Sequence, residues 1–62
     1  MTNHRQQYEH GYRQGYELAT YNGNENPKRN ILSRGISLRT SYAVGFMRGH
    51  KDKKQGLPCK YQ

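Results

Sequence analysis

Cysteine occurs once in the 62 residues, at Cys59, so no disulfide can close within the chain. Acidic residues are nearly as scarce, four against eleven Lys and Arg. No apolar run is long enough for a signal peptide or a membrane span. Nothing therefore points to an oxidising compartment or a bilayer, and the expected location is the cytoplasm. Only 31% of residues are hydrophobic, and that share includes six tyrosines, which carry a polar tip. A core built from so few groups is thin, and the length suits one small domain.

Arrangements that carry chemistry are missing too. The acids Glu9, Glu17, Glu25 and Asp52 are scattered, and no Ser/His/Asp pattern has a supporting context. Zinc sites show short paired ligand spacings. His4, His10, His50 and Cys59 do not, since His4 and His10 point to different faces of a helix. The glycine-rich stretches have helical spacing, not the strand–loop–helix pattern that cradles phosphate. The expectation is a non-enzyme with no metal, no cofactor and no small-molecule substrate.

What is present is an internal echo. Tyr8-Glu9-His10-Gly11-Tyr12-Arg13-Gln14-Gly15-Tyr16 aligns without a gap on Tyr42-Ala43-Val44-Gly45-Phe46-Met47-Arg48-Gly49-His50, at an offset of 34 residues. Both read Tyr-x-x-Gly-aromatic-x-x-Gly-x. Two copies cannot build a solenoid, so the echo predicts two matching helices packed on each other as a helical hairpin. A glycine in a helix interior costs about 1 kcal/mol against alanine. Two of them at G-x-x-x-G spacing make sense where a neighbouring helix must come close.

The first helix is expected over residues 2–20, capped by Thr2 or Asn3. Tyr8, Tyr12, Tyr16 and Ala19 share one face with Gly11 and Gly15, while Gln6, Arg13, Glu17 and Thr20 lie opposite. Arg13 with Glu17, and Arg5 with Glu9, have ion-pair spacing. Asn22-Gly23-Asn24-Glu25-Asn26-Pro27 is turn chemistry and opens an irregular connector running to Gly35, in which Ile31-Leu32 can pack back over the helices. The second helix is expected over residues 37–52 with Ser37 as cap, and with Leu38, Tyr42, Gly45, Phe46 and Gly49 as its apolar stripe. Val44 falls nearer the flank. Gly56 and Pro58 stop the helix. The fold class is all-α: a two-helix domain over residues 1–54, then a flexible basic tail over 55–62.

Charge separates the two halves. Residues 1–27 carry two arginines against three glutamates, a net −1. Residues 28–62 carry nine basic groups against Asp52 alone, a net +8. Such asymmetry points to an acidic polymer, most often nucleic acid. Lys28, Arg29, Arg34, Arg39, Arg48, Lys51, Lys53 and Lys54 are the candidate phosphate contacts. His50 falls among those of the last turn, where positive charge also suits the helix dipole. Tyr21 and Tyr61 lie off the helical stripes and are candidates to stack on unpaired bases.

The Gly11-Tyr12-Arg13-Gln14-Gly15 segment, the central Asn26-Pro27 and the Tyr42…Gly45-Phe46 segment together resemble the ribosome modulation factor family of bacterial ribosome-hibernation proteins. The likeness covers about residues 8–50. His10 precedes the Gly-Tyr pair, and Tyr42 and Phe46 stand where the family has tryptophans. This chain departs in a longer connector, in Asn26 where a cysteine is common, and in a thinner basic N-terminus. The resemblance implies two short helices joined by a linker and bound to the small ribosomal subunit near the 3′ end of its rRNA. There the family obstructs the message path and promotes inactive ribosome dimers, without catalysis. The competing readings are a small phage- or plasmid-type protein that binds DNA, and one that inhibits a host enzyme by protein–protein contact. For duplex DNA, the central glycines make a poor recognition helix, and the connector is too long for a tight helix-turn-helix.

Overall fold

The computed structural model describes residues 3–61, which form three helices and no strand. The class is all-α. Helix α1 spans His4–Leu18, α2 Pro27–Ser33 and α3 Ser41–Lys54. α1 and α3 are the two copies of the repeat, and α2 lies in the stretch expected to be irregular. Met1, Thr2 and Gln62 lie outside the described residues, so of the two capping candidates only Asn3 is seen.

Each helix starts on a short polar side chain that accepts from an otherwise orphaned amide of the first turn. Asn3 accepts from Gln6 N at 2.8 Å, Asn26 from Arg29 N at 3.2 Å and Thr40 from Ala43 N at 3.1 Å. The Asn26-Pro27 pair keeps Asn26 extended, as expected, but that is the conformation a cap needs. Pro27 then fits the first helical turn, where its missing N–H leaves nothing unpaired. Ser37 does not cap α3. Its Oγ accepts from Arg39 N at 3.2 Å and its carbonyl accepts from the Thr40 hydroxyl at 3.0 Å, which closes a turn ahead of the helix. Leu38 therefore precedes α3, yet still packs with Ile36, Tyr42 and Met47 around buried Ile31, Ala43 and Phe46.

α1 and α3 meet backbone to backbone. A Cβ on Gly11 would lie 2.0 Å from the Tyr42 carbonyl oxygen, and one on Gly45 2.1 Å from that of Tyr8. On Gly15 it would lie 2.0 Å from the Phe46 oxygen, and on Gly49 2.0 Å from the Tyr12 oxygen. No real side chain fits at those distances. The Cα–H groups face the carbonyls of the other helix instead, contacts worth about 0.5–1 kcal/mol each. Adding 34 to every α1 residue in these contacts, and subtracting it from every α3 residue, returns the same set. The pair is thus related by an approximate twofold, like an isologous dimer joined in one chain.

The two helices run in the same direction, which corrects the expected hairpin. Partners advance together, Gly11 with Tyr42 and then Gly15 with Phe46. His4 Nδ1 also lies 3.0 Å from Ser41 Oγ at the start of both helices. A parallel pair requires the chain to travel back along the length of a helix, ~22 Å for α1 at 1.5 Å per residue. The connector does this. It leaves the far end, where Asn22 N donates to the Lys54 carbonyl at 3.3 Å. It then climbs through α2, whose Ile31 is fully buried against α3, and reaches Thr40.

Both α2 and α3 end in a Schellman motif. Gly35 has φ 75° and Gly56 φ 78°, the left-handed conformation that side chains resist. Ile36 N donates to Ile31 O at 3.2 Å, and Leu57 N to Asp52 O at 2.8 Å. The second motif turns residues 55–61 back over α1, where a free tail was expected. The Tyr16 hydroxyl donates to the Leu57 carbonyl at 2.7 Å, and Tyr61 sets its ring edge-on to Tyr12 at 5.3 Å. Tyr12 is fully buried, and its hydroxyl donates to the buried carboxylate of Asp52.

Alanine in place of Gly11, Gly15, Gly45 or Gly49 should destabilise the fold by about 1–3 kcal/mol despite alanine's better helix propensity. Urea unfolding followed by circular dichroism measures this, with exposed Gln14→Ala as a neutral control. The twofold requires Gly11→Ala to match Gly45→Ala. Tyr12→Phe leaves a buried carboxylate oxygen of Asp52 without its donor and should cost about 1–3 kcal/mol in the same measurement.

Candidate nucleic-acid interface

The expected phosphate-binding side chains fall into groups set by the elements that carry them. Lys28 and Arg29 are exposed on the first turn of α2, and Arg39 is exposed on the turn before α3. Arg48 and Lys51 share one flank of α3, more than a quarter-turn round the helix from the Ala43–Phe46 side that meets α2. Lys54 is exposed at the end of α3. The cations therefore lie on several elements and are not gathered on one helix face.

Tyr21 is the most exposed large side chain with aromatic character, at 62%. The Asn22–Lys54 backbone bond holds it at the C-terminal end of α3. One edge of its ring approaches Gly56, where a Cβ would come within 2.8 Å of the ring. An aromatic face and the Lys54 ammonium thus share one end of the molecule, the pairing that unpaired bases and their phosphates require.

Several other candidates are used within the fold. Lys53 Nζ donates to the Tyr16 carbonyl at 3.3 Å and sits 4.7 Å from the centre of the Tyr16 ring, so it caps the open carbonyl end of α1. The Arg34 guanidinium lies 5.8 Å from the centre of the Phe46 ring. Tyr61 packs on Tyr12 and is not free to stack in the manner expected. His50 is buried, stacked near Phe46 at 6.5 Å, and does not join the lysines around it. Arg13 pairs with Glu9 at 3.5 Å and not with Glu17, following the favoured order of acid before base at i, i+4. The helix contact itself runs through the backbones of Tyr8, Tyr12, Tyr42 and Phe46, whose carbonyls meet the glycines.

Two shallow grooves flank the helix pair. One is lined by Tyr8 of α1 with Val44, Met47, Arg48 and Lys51 of α3. The other is lined by Tyr42 of α3 with His10, Arg13 and Gln14 of α1. They are the same groove twice under the 34-residue offset. The sequence placed Val44 on a helix flank but gave no sign that Tyr8 would close a groove against it, because that depends on which helix lies alongside.

Burial raises the Tyr12 hydroxyl above the ordinary phenol range, and its hydrogen bond to Asp52 adds to the shift. Burial also lowers the His50 pKa; Lys54 adds repulsion, and Glu25 offsets part of it. Among the described residues no three His, Cys, Asp or Glu side chains converge as metal ligands, and no helix is long and apolar enough to cross a membrane. Comparison with protein-family models, with characterised proteins and with solved structures returned no match.

The His50 shift has a definite sign. Unfolded chains take up a proton at His50 near the ordinary imidazole pKa of 6.5, whereas the folded chain does so only at lower pH. The stability His50 contributes is therefore present above that value and is lost as pH falls below it. The urea midpoint should drop between neutral pH and about pH 5. His50→Gln should flatten that drop when the same titration is repeated.

Proposed function

We propose that this chain is a non-enzymatic protein that binds rRNA on the small ribosomal subunit and modulates translation there. The observation that carries the reading is the exposed Tyr21 ring held beside Lys54 at the lysine-rich end of α3, in a chain whose C-terminal part is strongly basic. Lys28 and Arg29 on α2, and Arg39 at the other end of α3, are further exposed cations available to phosphates. The resemblance to ribosome modulation factor supplies the location, near the 3′ end of the rRNA. Lysines and arginines hold phosphates and release counterions, Tyr21 stacks on an unpaired base, and the folded body occupies the path of the message. No bond is made or broken in this mechanism.

Sedimentation with small ribosomal subunits across a salt series tests it. Binding should be firm at low salt and weaken steeply as salt rises. Tyr21→Ala should weaken binding at least about tenfold. Arg39→Ala and Lys54→Ala should each lower the log–log salt slope by about 0.7 for a single-stranded contact, with helicity unchanged. A chain that stays at the top of the gradient at every salt concentration, or that prefers duplex DNA to structured rRNA in a mobility-shift comparison, overturns the proposal.

A further inference from the structure

The approximate twofold provides an internal control for surface chemistry. Each groove is made by the tyrosine of one helix lying against the outer flank of the other. Tyr8 corresponds to Tyr42, Val44 to His10, Met47 to Arg13 and Arg48 to Gln14, while Lys51 corresponds to Glu17. The α1 groove folds with a polar floor. An apolar floor is thus not required to pack the helices, yet the α3 groove has one. Val44 there is 46% exposed, and Met47 and Tyr8 are half-buried beside it. Arg48 and Lys51 border this floor, and neither has an ion-pair partner among the described residues.

From these features we infer that the α3 groove is a docking site for a short segment of a partner protein, one that places an apolar side chain between carboxylates. Two methyls, a thioether and a tyrosine ring suit an aliphatic or aromatic side chain, and methionine adapts its shape to the occupant. The same floor offers little for the hydrogen-bonding edge of a nucleobase. Phosphate binding gains nothing from exposed valine methyls beside the two cations, whereas an acidic, apolar segment uses both features. The groove runs along the flank of α3 up to Lys51, one turn before Lys54, and peptide binding there is measured independently of rRNA binding.

The test uses the full chain labelled with ¹⁵N and a small set of amphipathic helical peptides. Each peptide carries a central Leu, Ile, Met or Phe flanked by glutamates, and its control has lysines in their place. At least one acidic peptide should shift the amide resonances of Tyr8, Val44, Met47, Arg48 and Lys51, while no lysine control does so. Val44→Glu and Lys51→Glu, both on exposed positions, should each weaken that binding at least about tenfold. His10→Glu in the twin groove should leave it unchanged. The inference is overturned if no acidic peptide shifts the groove, or if the twin groove responds equally. It is also overturned if only RNA oligonucleotides shift these resonances, or if the groove proves to be covered by a second copy of the chain, seen as self-association that Val44→Glu abolishes.

Discussion

Four hydrogen atoms, in the places where side chains would otherwise begin, set this molecule's architecture. Gly11, Gly15, Gly45 and Gly49 let the α1 and α3 backbones approach until carbonyl oxygens occupy the space of a Cβ. With few large apolar groups available, that contact replaces much of what a thicker core would provide. In the register observed the copies run in parallel, each glycine under a carbonyl of the other helix. The long connector follows from that direction, and so does the placement of Asp52 against the Tyr12 hydroxyl.

The chain places two different surface chemistries on one nearly symmetric body. Glycines and aromatics repeat between the copies because both must make the same contact. The residues between them do not repeat: Glu17 becomes Lys51, Gln14 becomes Arg48 and His10 becomes Val44. A helix flank is free to differ when the packed face is not, so the differences between copies fall outside the contact that holds the helices together. Even so, not every cation of the basic half is free. Lys53 closes the end of α1 and Arg34 covers Phe46, which gives part of the positive charge a structural role.

Much of this was readable beforehand, for local reasons. The helical period of Tyr8, Tyr12 and Tyr16, the repeated glycine spacing and the capping power of Asn3 act over a few residues, and the structure uses them as expected. Structure and expectation part where one local signal has two outcomes. Asn-Pro both interrupts a helix and begins one, so the same pair that predicts irregular chain also starts α2. Ser37 and Thr40 are both good caps, and the choice went to the residue that left Ile36 and Leu38 able to reach the core around Ile31. Gly56 predicts a helix stop, and its positive φ also returns the chain toward Tyr16 and Tyr12. Lys53 and Tyr61 lost their expected roles to partners far away in sequence.

By itself the sequence determined that this is a small helical protein with two matching helices, a close glycine contact between them and a strongly basic second half. Periodicity, steric size and formal charge are properties of residues and their near neighbours, so one chain is enough to read them. Only the tertiary structure decided that the helices run parallel, that His50 and Asp52 are buried, that Tyr21 lies beside Lys54 and that Tyr8 meets Val44 across a groove. Each of those depends on which surfaces face each other after the chain has turned, and no spacing along the chain records that.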